Sequence, residues 1–135
     1  MRQPISRRQH GFTDYGYAPL FAAAPFLLNF RGEQAAATLC WLCAGGIFVG
    51  SLFTRAEWGF VRVIPYKVHL VIDALNGLFV LTAPWLFGFA GNQVARNTFL
   101  VAGVFGILAG TLSRPEEMPA HAGTNRAGVA DTLAR

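Results

Sequence analysis

The sequence predicts an all-α integral membrane protein, with four transmembrane helices built as two tandem, parallel two-helix repeats. Three observations carry this. Of 135 residues, 53% are hydrophobic and only 13% are charged, about half the charge of an ordinary soluble domain. The uncharged residues fall into four runs, and the chain matches itself at an offset of 59. A small soluble domain has a large surface to cover for its volume, so the charge deficit points to lipid as solvent. The hydrophobicity excludes disorder for the bulk of the chain. Two cysteines cannot staple a disulfide scaffold. The net charge of +4 is scattered between apolar segments, without the concentrated basic patch that a nucleic-acid partner requires.

Taken in order, residues 1–9 form a basic tail. A first two-span repeat follows over 10–53, with no charge from Tyr15 to Phe30 and none from Gln34 to Thr54. Residues 54–68 form a loop in which Trp58, Phe60 and Tyr66 mix with Arg55, Arg62 and Lys67, a composition suited to the headgroup interface. The second repeat, 69–113, is free of charge from Ala74 to Ala95 and from Asn97 to Ser113. A spanning helix needs about 20 mostly apolar residues. Segments two and three meet this directly; segments one and four need their polar flanks. None of the four has the polar stripe of an amphipathic soluble helix. Residues 114–135 are polar and rich in Pro, Gly and Ala, the composition of a disordered tail.

Lys and Arg set the expected orientation. Arg2, Arg7, Arg8, Arg55, Arg62, Lys67, Arg114, Arg126 and Arg135 fall on one side, and only Arg31 and Arg96 on the other. Both termini are therefore expected in the cytoplasm, with the lipid bilayer as the first partner. The start imitates a signal peptide, with Ala35-Ala36-Ala37 as a cleavage site; because segment one is half of a repeat, it is expected to be retained.

The self-match is gap-free in its first half. It sets His10 on His69, Asp14 on Asp73, and Ala24-Pro25-Phe26-Leu27 on Ala83-Pro84-Trp85-Leu86, with Phe30 on Phe89. Past residue 37 the offset is 60, and Gly46 and Gly50 fall on Gly106 and Gly110. His and Asp are rare here, so their coincidence signals duplication. Each copy holds two spans, so the copies enter the membrane in the same direction, and both His/Asp pairs lie at similar depth toward the cytoplasm.

His69-x-x-x-Asp73-x-x-x-Gly77 followed by Ala83-Pro84-Trp85-Leu86-Phe87-Gly88-Phe89 resembles the signature of SPW-repeat membrane proteins. The family's Ser is Ala83 here, the first copy reads Ala24-Pro25-Phe26, and the position matching Gly77 is Ala18. The resemblance covers about residues 10–113. It implies a four-span protein of a bacterial inner membrane and assigns no biochemical activity.

Several residues are candidates for more than bulk packing. His10, Asp14, His69 and Asp73 form two i,i+4 pairs, each on one helix face. Ionisable groups within spans usually face the bundle interior. They are expected to act as a structural polar clamp, with a proton or substrate path and a divalent-cation site as alternatives. Pro84 removes the hydrogen bond to the Val80 carbonyl and kinks its helix, and Trp85 and Phe89 are expected on one face. Gly46-x-x-x-Gly50 and Gly106-x-x-x-Gly110 are small-residue faces, expected to bring segments two and four together, or to mediate a homo-oligomer. Cys40-Trp41-Leu42-Cys43 is a C-x-x-C placed as in quinone-linked thiol oxidoreductases. Those enzymes use a second cysteine pair, which this chain lacks, and buried cysteine as a small hydrophobe is commoner. No Walker-type loop or G-x-S-x-G occurs, and His121 stands alone, so no cofactor is expected. The expected function is that of a non-enzymatic structural or accessory membrane protein, serving another membrane protein or a second copy; the competing expectation is a small transporter or ion-binding protein.

Overall fold

A computed structural model describes residues 3–118; the expected disorder of the C-terminal tail falls mostly outside them, as does His121. The chain forms four helices, α1 (Arg7–Leu27), α2 (Gln34–Phe53), α3 (Tyr66–Leu86) and α4 (Gln93–Leu112), and no β-sheet occurs among the described residues. Three of them, α2, α3 and α4, are long and apolar enough to cross a membrane. α1 is equally long, but its first eight residues include Arg7, Arg8, Gln9, His10 and Asp14, which dilute its apolar character.

Local chemistry sets the helix ends. Ser6 caps α1 in a capping box with Gln9, and the Asn92 side chain accepts from Ala95 N at the start of α4. The start of α3 is capped from far along the chain, where the Glu117 carboxylate accepts from Tyr66 N and Lys67 N at 3.1 and 3.0 Å. α1 ends in a Schellman turn: Asn29 adopts φ 58° while Phe30 N and Asn29 N donate to Pro25 O and Phe26 O. α3 is followed by Gly88 at φ 76°; Asn and Gly are the residues that tolerate this left-handed position. Both turns fold a phenylalanine, Phe30 and Phe89, back into the core. The expected Trp85/Phe89 face therefore does not form. Phe89 lies beyond the end of α3, 4.9 Å from Phe99, while Trp85 points outward.

α1 packs on α2 and α3 on α4, giving two helical hairpins whose backbones come close at only a few points, through α2–α3 and α1–α4, and whose side chains share one apolar core that includes Phe21, Cys40, Val80 and Phe99. α2 and α4 share no packing face, which corrects the expectation that their glycines meet. The glycines of α4 face α3 instead. A Cβ on Gly103 would stand 2.6 Å from Leu81 N, and one on Gly110 would stand 2.7 Å from Leu70 O. Gly46 and Gly50 have nothing within 4 Å of such a Cβ. A small-x-x-x-small face permits close approach, but here the close approach is made where the opposing helix also carries glycine, at Gly77.

The bundle is inside-out relative to a soluble one. Buried helix positions are mostly small, aromatic or polar, while Leu42, Leu75 and Val101 are 67%, 61% and 72% exposed. Such continuous apolar exterior is what lipid contact requires and water forbids. In the small-Pro-aromatic triplets, Ala24, Pro25, Ala83 and Pro84 are buried while Phe26 and Trp85 face out.

One end of the bundle is zipped by three chain stretches. Ile5 N donates to Leu112 O and Arg114 N to Ile5 O. Trp58 lies over Gly11 and donates from Nε1 to Arg8 O at 3.1 Å. Arg7 makes a two-pronged pair with Glu57 at 2.9 and 2.7 Å. The hydrogen bond from Arg7 holds the Glu57 carboxyl below the usual glutamate range. A depressed folded value stabilises above the unfolded value of about 4.3 and is lost as pH falls through the folded one. Because the pair is solvent-screened, the effect stays under about 1 kcal/mol. Glu57→Gln is therefore expected to lower the unfolding temperature slightly at neutral pH and not at acidic pH, measured by thermal unfolding in detergent.

Candidate functional site

The two His/Asp pairs, one on α1 and one on α3, converge inside the zipped end of the bundle. Each residue is nine-tenths or more buried. The helical period sets His10 over Asp14 and His69 over Asp73, with Nε2–Oδ2 separations of 3.4 and 3.1 Å. The contacts across the hairpins are shorter: His10 Nε2 to Asp73 Oδ2 is 2.9 Å, and His69 Nε2 to Asp14 Oδ2 is 2.9 Å. The two Nε2 atoms are themselves 3.3 Å apart. All four ligating atoms lie within 4.8 Å of one another.

Three hydroxyl side chains hold this arrangement. The Ser113 hydroxyl donates its one proton to Ala109 O at 2.6 Å, so at 2.8 Å it accepts from His10 Nδ1–H. Thr54 repeats the pattern: it donates to Gly50 O at 2.7 Å and accepts from His69 Nδ1–H at 2.9 Å. A hydroxyl has one proton and two lone pairs, so both rings carry hydrogen on Nδ1 and turn Nε2 to the centre. There a neutral ring offers a lone pair, and a charged ring offers a proton to a carboxylate. Ser51 donates to Asp14 Oδ2 at 2.9 Å. The Tyr66 ring is buried edge-on to His10 and parallel to His69, at 5.7 and 6.3 Å, and among the described residues its hydroxyl has no hydrogen-bond partner. A cavity of about 10 Å³ is lined by His10, Asp14, Ser51, Thr54, Tyr66 and His69, room for one small atom or water.

His10, Asp14, His69 and Asp73 are thus brought together as one cluster. Thr54 and Ser113 went unrecognised in the sequence, where they stand 59 residues apart, one short of the 60-residue offset that matches the glycines of the same helices. The other candidates lie elsewhere. Cys40 and Cys43 are free thiols packed in the apolar core with Phe21, Leu39 and Val80, where cysteine serves as a small hydrophobe. Gly77, Gly106 and Gly110 lie in the α3–α4 contact. Gly46 and Gly50 instead line a groove of about 340 Å³ between α2 and α3, which reaches His69 and Asp73 from the side.

No curated protein and no solved structure matches the chain. The family model of the SPW repeat domain matches residues 8–113, from the turn before His10 to Ser113, and so takes in the whole of the polar cluster. With most of its length inside that match, the chain belongs to the SPW repeat family of small membrane proteins.

Proposed function

We propose that the chain is a structural or accessory protein of a bacterial inner membrane, in which the His/Asp cluster clamps two tandem, duplicated hairpins into one four-span bundle. The observation that carries this reading is where the cluster sits. Side chains such as Phe21 and Phe99 join the hairpins in one apolar core, and at the zipped end the two 2.9 Å contacts cross from one hairpin to the other at a buried point. Hydrogen-bonded polar groups between helices are a recognised glue inside a bilayer, where the apolar effect cannot drive helices together.

The fourth span in this reading is α1. Its 21 residues reach about 31 Å at 1.5 Å per residue, enough to cross, and its polar first turns are satisfied within the zipped end. That end gathers Arg7, Arg8, Arg55 and Arg114 through the Ile5–Ser113 and Arg7–Glu57 contacts, which favours a cytoplasmic location by the positive-inside rule. Duplication is supported by the matched placement of His, Asp and hydroxyl on both hairpins. The partners proposed are the lipid bilayer and, beyond it, another membrane protein or a second copy.

Asp73→Asn tests the clamp. The substitution keeps the side chain's shape and removes its charge from a site where His10 and His69 both face it. The expected result is a clearly lower unfolding temperature in detergent. An unchanged unfolding temperature overturns the clamp.

A further inference from the structure

We infer that the centre of the clamp is a tetrahedral site for one divalent transition-metal ion of the zinc class. This rests on the reading of the cluster as a clamp and gives it a chemical centre. The geometry is that of a ligand shell more than of a hydrogen-bond pair. Each Nε2 faces both carboxylate oxygens and the other ring's Nε2, at separations from 2.9 to 3.4 Å. A single N–H can serve only one of those partners. A tetrahedron of nitrogen and oxygen ligands about 2.0–2.2 Å from zinc has edges of about 3.3–3.6 Å; the 3.3 and 3.4 Å separations match it, and those of 2.9 and 3.1 Å need to open by about 0.2–0.7 Å to admit the ion.

The donor chemistry agrees. Ser113 and Thr54 fix hydrogen on the two Nδ1 atoms, leaving Nε2 as the ligating nitrogen, the outer-shell arrangement that metal-bound histidines use. Two imidazoles and two carboxylates suit zinc and its neighbours; calcium and magnesium want six or more oxygens. The two negative charges of the carboxylates are cancelled by one divalent cation, in a place where uncompensated charge is expensive. An atom-sized cavity lined by both rings and Asp14, though not by Asp73, lies beside the four donors and leaves their packing room to adjust. Access is provided by the α2–α3 groove that ends on His69 and Asp73. With four protein donors the shell is closed, which marks a structural site more than a catalytic one.

The test uses the full chain purified in detergent without chelator. Elemental analysis is expected to find one zinc-class ion per chain. After stripping, Zn²⁺ is expected to raise the unfolding temperature by mass action, and Co²⁺ to give the intense visible absorption of a tetrahedral site. Asp73→Asn is expected to lose the Co²⁺ band. Ser113→Ala keeps all four donors and loses only an orienting acceptor, so its Co²⁺ affinity is expected to fall about 10–100-fold; this variant carries the test if Asp73→Asn does not fold. A wild-type chain with no bound metal, no Co²⁺ band and no response to Zn²⁺ overturns the metal site. A Co²⁺ band of unchanged affinity in Asp73→Asn does the same. If the metal site fails while Asp73→Asn still lowers the unfolding temperature, the clamp stands without an ion; an unaltered unfolding temperature in that variant removes the clamp itself.

Discussion

Gly77→Ala is expected to lower the unfolding temperature in detergent sharply, although it adds a single methyl group. That methyl would stand 2.5 Å from Ile107 N and 2.9 Å from both Gly103 O and Gly106 C. Every one of these atoms is backbone, so no side chain can rotate away, and α4 must move as a body. Overpacking a core costs typically about 1–3 kcal/mol, and a backbone-on-backbone clash belongs at the upper end. The better helix propensity of alanine returns at most about 1 kcal/mol, so the clash wins. Gly77 lies one turn beyond Asp73 on the same face, and displacing α4 disturbs the cluster as well. Gly46→Ala is the control: with nothing within 4 Å of the added methyl, its unfolding temperature is expected to stay level or rise. Equal behaviour of the two variants would show that the α3–α4 contact is looser than its geometry.

The same comparison marks how far the sequence could be read. Uncharged runs and the 59-residue offset pointed to four helices and to two polar pairs at one depth, because burial in lipid and i,i+4 spacing are both written in residue type. Which glycine meets which helix was not legible. A small-x-x-x-small pattern says that something approaches closely, but the partner is decided by what the opposing helix carries. Here the second hairpin has Gly77 against Gly103, and α4 nests on α3. The matched positions in the first hairpin are Ala18 and Cys43, both buried side chains where the second hairpin has glycine, and Gly46 and Gly50 lie on an open groove. Phe89 leaves the face of Trp85 because helical spacing stops at Gly88, where a positive φ ends the helix. The hydroxyls of Thr54 and Ser113 were hidden for another reason. Serine and threonine at helix ends usually satisfy their own backbone, and these two do so while also accepting from a histidine.

The largest expected effect lies in the cluster, and its signature is non-additivity. Asp14→Ala and Asp73→Ala are each expected to cost about 3–5 kcal/mol, the penalty for leaving one partner of a buried ion pair uncompensated. Loss of a neutral interhelical hydrogen bond costs only about 1–2 kcal/mol, so the charge left behind dominates. Both carboxylates face both histidines. The double variant therefore removes an interaction already broken by either single one, and its cost is expected to fall short of the sum by about 0.5–3 kcal/mol. Replacing all four residues together, His10, Asp14, His69 and Asp73 each by leucine, is expected to restore much of the loss. No charge then remains unpaired, and apolar replacements of a whole buried ionic group are often neutral or stabilising. The Thr54 and Ser113 hydroxyls stay satisfied, since each still donates to a backbone carbonyl four residues back, while buried Ser51 loses its Asp14 acceptor and keeps a cost of about 1–3 kcal/mol. Reversible unfolding in mixed micelles measures the whole set. If the losses simply add, with the fourfold variant the least stable of all, the four residues act as separate contacts and the clamp as a unit is refuted.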